Sequence, residues 1–264
     1  IDETIQYYVE RALEDGMEET DADRIMCLVM DPKTGEILAS AVTPGFDPNN
    51  ATEPDDEEEK EAFESMSSDE QISYLNKMWR NPIVSDTYEP GSTFKLITAS
   101  SALEEGAITS EETFTCDSHV TIAGVTLHCW STRDHGTQTI KQALGNSCNP
   151  ALAKVATKLG AANFYKYLEL YGITEPTGVD YPGETSSIMY ALEDVGPVEL
   201  ATMGYGQSIS LTPIQLLTAV SAIGNDGVLL QPRYVKALTD ADGNVVEEFE
   251  TKEVRQVLSE ETAA

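Results

Sequence analysis

The sequence predicts a mixed α/β domain of the α+β kind, and three observations carry that prediction. Apolar residues recur at helical spacing in several windows, among them 3–15, 92–106 and 212–223. Two apolar runs, RIMCLVM and ILASAV, flank Asp31-Pro32-Lys33-Thr34-Gly35-Glu36, which reads as the turn of a β-hairpin. Hydrophobic residues make up 41% of the 264, enough for a large core despite a net charge of −30.

Taken in order, residues 3–15 predict an amphipathic helix with Ile5, Tyr8, Val9, Ala12 and Leu13 on one stripe. The hairpin follows. Residues 44–70 hold Pro, Asn and an acidic run and predict a mobile, solvated surface loop. Asn81-Pro82 begins the approach to the helix that Ser92 opens after a Pro-Gly turn. Residues 107–139 predict loops and small strands, 147–172 two helices, and 178–196 irregular chain. A helix over 212–223 precedes a strand pair, 228–238 with 245–250, turning at Asp242-Gly243. The final VRQVLSEETAA predicts a helix.

Two short motifs carry chemistry. In Glu89-Pro90-Gly91-Ser92-Thr93-Phe94-Lys95, Ser92 and Lys95 stand at i and i+3, on one face of a helix. A serine hydroxyl needs a base to take its proton, and a lysine serves when burial lowers its pKa. In Gly145-Asn146-Ser147-Cys148-Asn149-Pro150, a Ser-x-Asn triplet precedes a helix. As local structure, it is a helix cap with Pro in the first turn. As chemistry, Ser147 is a proton relay and Asn149 a ligand for a substrate amide.

With the words around them, these motifs resemble the transpeptidase domain of the class B penicillin-binding proteins, in the superfamily shared with serine β-lactamases. Ile1-Asp2 with Ile5-Gln6, YEPGSTFKLITASSALEEG, HGTQTIKQALGNSCNPALAKVATKLG and MGYGQSISLTPIQLLTAVSAIGNDGVLLQPRYV follow in family order, including Gly206-Gln207 and Thr212-Pro213-Gln215. The resemblance implies a partial transpeptidase domain over 1–264, with a central antiparallel sheet flanked by helices, C-terminal strands expected beyond it, and a mainly helical lobe over 92–225. It implies a D,D-transpeptidase in which Ser92 attacks, Lys95 takes its proton, Ser147 relays a proton and Asn149 orients the peptide amide. Peptidoglycan stem peptides and β-lactam antibiotics are the ligands it implies. It also implies an extracytoplasmic location, and a glycosyltransferase, divisome or cortex-synthesis partner for a membrane-anchored parent of the division or sporulation type. A hydrolytic relative (a carboxypeptidase or β-lactamase) and a β-lactam sensor or inactive scaffold are the alternatives. The superfamily's third motif, Lys-Thr/Ser-Gly on a cleft strand, is expected beyond Ala264; Lys33-Thr34-Gly35 lies on the hairpin turn and is expected to be a decoy.

The acidic balance argues against nucleic acid or an anionic membrane as partner of this segment. No apolar run has the ~18–20 residues of a membrane-spanning helix. No cofactor is expected. Cys27 and Cys148 read as packed residues, while Cys116 and Cys129 bracket a short hairpin and leave a disulfide or free thiols open. Asp117, His119, His128, Asp134 and His135 lie nearby, and some elongation-type relatives hold zinc near this position with Asp, His and Cys ligands. The spacing matches no established zinc pattern, so no metal is expected.

Overall fold

The computed structural model describes residues 1–264. Helix α1 (Glu3–Thr20) starts where the Asp2 carboxylate accepts the Ile5 N–H at 3.0 Å, and it runs five residues past the predicted stripe. It packs on a hairpin of β1 (Ile25–Met30) and β2 (Ile37–Thr43), paired antiparallel with Leu28 opposite Ser40. Pleating sends Ile37, Ala39 and Ala41 to one buried face. The outer edge of β2 is closed by a side chain: Gln6 donates to the Ser40 carbonyl at 3.1 Å and accepts its N–H at 2.8 Å. An amide thus satisfies backbone groups that a further strand would otherwise engage.

The acidic stretch, expected as a surface loop over 44–70, instead forms helices. Asp56 caps α2 (Glu57–Glu64), whose three first-turn carboxylates suit the positive end of a helix, and Phe63 anchors it. Ser67 and Glu70 then form a capping box for α3 (Ser68–Met78). Phe63 alone gives the segment too few apolar residues for a visible period. The short α4 (Pro82–Ser85) inserts Ile83 and Val84 beneath the hairpin, where they join Ile214 and Val179 in a small second core.

The main core lies in the helical lobe. Its axis is α5 (Lys95–Glu104) against α7 (Asn149–Leu159), with Phe94, Ile97, Leu152, Val155 and Tyr171 all almost completely buried. Between these helices the chain forms four short strands, β3 (Thr113–Cys116), β4 (His119–Ile122), β5 (Val125–His128) and β6 (Gly136–Thr139). They pair as β3 with β6 and β4 with β5, and α6 (Ile140–Gly145) follows. Helix α8 (Ala161–Leu170) completes the predicted helix pair. After it come β7 (Ile188–Met189), α9 (Pro197–Met203), β8 (Ile209–Ser210) and α10 (Pro213–Ile223). Thr212 and Gln215 form the capping box of α10, and the buried Gln215 amide also donates to the Glu175 carbonyl at 2.9 Å. The Thr-Pro-x-Gln part of the sequence block is therefore a cap and a cross-link.

The predicted strand over 228–238 is two strands. Pro232, which has no N–H for a ladder, separates β9 (Val228–Leu230) from β10 (Ala237–Thr239). β10 pairs with β11 (Val245–Glu248) across the expected turn, whereas β9 pairs with β12 (Glu253–Gln256). The predicted C-terminal helix is reduced to α11 (Glu260–Ala263), capped by Ser259. No helix is long and apolar enough to cross a membrane.

Candidate active site

The turn before the nucleophile is fixed from both sides. Gly91 adopts φ 57°, a left-handed value open to a residue without Cβ. Its N–H donates to the Gly206 carbonyl at 2.9 Å, and a Cβ on Gly206 would lie 2.1 Å from the Gly91 oxygen. Just upstream, Tyr88 and Leu211 exchange two backbone hydrogen bonds of 3.1 Å, and Glu89 accepts the Ser208 N–H at 2.8 Å. The Gly206 block is therefore the mould on which the turn is cast. The sequence pointed to the block but not to this job, because the contact joins distant segments.

From Gly91 the chain winds through a 3-10 turn into α5. Ser92 stays exposed at the rim while Lys95, one turn later, is only 1% exposed. The i, i+3 spacing holds: Lys95 Nζ lies 3.1 Å from Ser92 Oγ.

The second wall is the C-terminus of α6. Cys148 N–H bonds to the Ala143 carbonyl and Ser147 N–H to that of Leu144, both at 2.9 Å, which is a Schellman closure. Glycine usually occupies the left-handed position of that closure. Here Ser147 takes it, at φ 50°, and this aims its hydroxyl into the site. Ser147 Oγ donates to Ser92 Oγ at 2.8 Å. Asn149 opens α7 and presents Oδ1 to Lys95 at 2.7 Å.

All four residues singled out from sequence thus meet around one ammonium. Lys95 Nζ contacts Ser92 Oγ, Ser147 Oγ at 2.9 Å, the Ser147 carbonyl at 2.8 Å and Asn149 Oδ1. None of these partners is charged. Burial without a counter-ion pushes the Lys95 pKa down to about 8, while the Cys129 and Cys148 sulfurs pull it up. The N-terminus of α5, where Lys95 sits, also disfavours a cation. The arrangement can remove the Ser92 proton and hand one on through Ser147.

Lys33-Thr34-Gly35 lies elsewhere. Its lysine forms an exposed ion pair with Asp226 at 2.7 Å, and its glycine makes the hairpin turn at φ 72°. All four cysteines are free thiols. His119 and His128 face each other across the β4–β5 ladder, with ring centroids 6.4 Å apart. By contrast Cys116, Cys129, His135 and Cys148 gather on one point beneath the site.

Residues 25–264 match the family described as the penicillin binding protein transpeptidase domain. The chain belongs to that family. As expected from the motifs, it is a class B penicillin-binding protein transpeptidase domain with the family's mixed α/β fold. Over its full length it is 37% identical to stage V sporulation protein D of Bacillus subtilis, of which it covers 38%. It is 30% identical to the penicillin-binding protein PbpB of Mycobacterium tuberculosis, covering 36% of it, and 28% identical to the peptidoglycan D,D-transpeptidase PbpA of Mycolicibacterium smegmatis, covering 54%. It thus spans roughly a third to a half of these relatives. Among solved structures, penicillin-binding protein 3 of Mycobacterium tuberculosis complexed with ampicillin superposes with a TM-score of 0.81 at 29% identity, over 99% of this chain and 54% of that one.

Proposed function

We propose that this domain cross-links peptidoglycan stem peptides as a serine D,D-transpeptidase, and that β-lactams acylate the same serine. The observation that carries this is the uncharged cage around Lys95, which touches both hydroxyls and the Asn149 amide within 3.1 Å. Neutral Lys95 accepts the Ser92 proton as Oγ attacks the carbonyl of the terminal D-Ala-D-Ala bond. The proton returns through Lys95 and Ser147 to the departing D-alanine nitrogen, leaving an acyl ester on Ser92. The amine of a second stem peptide then attacks the ester, loses its proton by the same route and forms the cross-link. Asn149 would hold the donor peptide amide. A penicillin enters the first half of this sequence and stays as the ester. In the parent protein the domain would work on the outer face of the cell membrane, with a glycosyltransferase, divisome or cortex-synthesis partner.

Intact-mass spectrometry with excess penicillin, beside a Ser92→Ala control, tests the proposal. A single adduct that disappears in the control is expected. A folded protein that takes no adduct, or one whose adduct survives in Ser92→Ala, would sink it.

A further inference from the structure

Three sulfurs and one imidazole converge directly behind the Ser147–Asn149 loop. The Sγ atoms of Cys116, Cys129 and Cys148 and a ring nitrogen of His135 all lie within 4.8 Å of one another. A tetrahedral zinc with Zn–S near 2.3 Å sets its sulfurs about 3.8 Å apart, so little movement would close the set on one ion. Cys129 Sγ and His135 Nδ1 are already 3.8 Å apart.

The cluster stands on rigid elements. Cys116 ends β3 opposite Gly136 of the β6 ladder, which places His135 beside it. Cys129 follows β5, its N–H bonded to the Ser118 carbonyl at 2.7 Å. Cys148 caps α7 and is held by Ala143 through the α6 closure. The ligands are thirteen, six and thirteen positions apart, unlike the short paired spacings that reveal most zinc sites, so the set shows only in three dimensions. It shares His135 and cysteine ligands with the Asp, His and Cys set considered from sequence, but it takes no aspartate and adds Cys148.

We propose that Cys116, Cys129, His135 and Cys148 form a Cys3His site for a soft divalent cation of the zinc class. Each thiol would release a proton to solvent and bind as thiolate, and neutral His135 would bind through Nδ1, giving a net charge of −1. Geometry is the main support, and the buried thiols agree with it. Cys116 and Cys148 are fully buried. A bound metal would take all three as thiolates and satisfy sulfurs that otherwise have only weak partners in one another. Because Cys148 lies between Ser147 and Asn149, the ion would clamp the loop carrying the relay hydroxyl to β3, β5 and β6. Metal binding does not depend on the transpeptidase reading, so its failure leaves the acylation test untouched.

The test uses the reduced 264-residue chain. One zinc per chain is expected by elemental analysis after purification with zinc and dialysis. Titration of the metal-free protein with cobalt should give the intense visible bands of a tetrahedral thiolate site. Cys129→Ser and His135→Ala, both at partly exposed positions, should weaken cobalt binding by at least about 10–100-fold, the range for losing even an outer-shell partner. Cys27→Ser should bind as the parent does. Circular dichroism checks that each variant is folded. The proposal is overturned if the folded, reduced parent binds neither metal, if folded Cys129→Ser keeps the parent spectrum, or if mass spectrometry of zinc-purified protein finds a disulfide within the trio.

Discussion

The pKa of Lys95 makes a quantitative demand on the rate of acylation. With its pKa near 8, about one lysine in eleven is neutral at pH 7 and about ten in eleven at pH 9. If neutral Lys95 is the base, the second-order rate constant for penicillin acylation rises about tenfold between these values and then levels off. An ordinary lysine with a pKa of ~10.4 would give a rise of about a hundredfold over the same window with no plateau, from a base about 200 times scarcer at pH 7. The assay is stopped-flow or gel labelling with a fluorescent penicillin across pH 6.5–10, in the parent and in Lys95→Ala. The variant should lose about 10²–10⁴ in rate, and with it the pH limb. A flat profile in the parent, or a limb that continues past pH 10, would refute the assignment of Lys95 as base. Stability should move with the same group. The folded lysine gives up its proton from about pH 8 whereas the unfolded one keeps it to the ordinary value, so resistance to urea should rise across that interval.

Gly206→Ala should cost about 2 kcal/mol or more in urea unfolding and should depress acylation, because its Cβ meets the Gly91 carbonyl. Gly183→Ala shares the positive φ but has open space around it, so it should lose only about 1 kcal/mol and leave acylation unchanged. Ser147→Gly should raise the melting temperature by about 2–4 °C by relieving the left-handed strain, as calorimetry would show, yet lower acylation by about a hundredfold through loss of the relay hydroxyl. Lys33→Ala removes an exposed ion pair and should change stability by less than about 0.5 kcal/mol with no effect on acylation, which would confirm that the early Lys-Thr-Gly triplet takes no part in the chemistry.

What was legible in the sequence was mostly what is local. Ser92 and Lys95 lie one turn apart, so helical geometry alone places them together. Ser147 and Asn149 could be named from their motif, but their contacts with Lys95 span more than fifty residues and follow from packing α5 against α7. The cysteines show the same limit from the other side. Adjacent spacing drew Cys116 and Cys129 together and left a disulfide or free thiols open, while the fold adds Cys148 and His135 from separate elements. The acidic segment hid α2 because capping and dipole effects, rather than an apolar stripe, set where that helix begins. The split of the predicted 228–238 strand could have been read from Pro232.

The seam between Gly91 and Gly206 also bears on how the chain reaches its native state. The two glycines are roughly 115 residues apart, and joining them closes a loop at an entropic cost of about 4 kcal/mol. Much of the lobe between them consists of neighbouring helices and short hairpins, which need no such closure to begin forming. The turn before Ser92 is therefore complete only once the segment 206–211 has docked against Gly91. A nascent or partly unfolded chain would carry the serine without the turn that activates it, and so would be blind to penicillin. Labelling by the antibiotic should thus count molecules in which that docking is complete, serving as a clock for this step of folding.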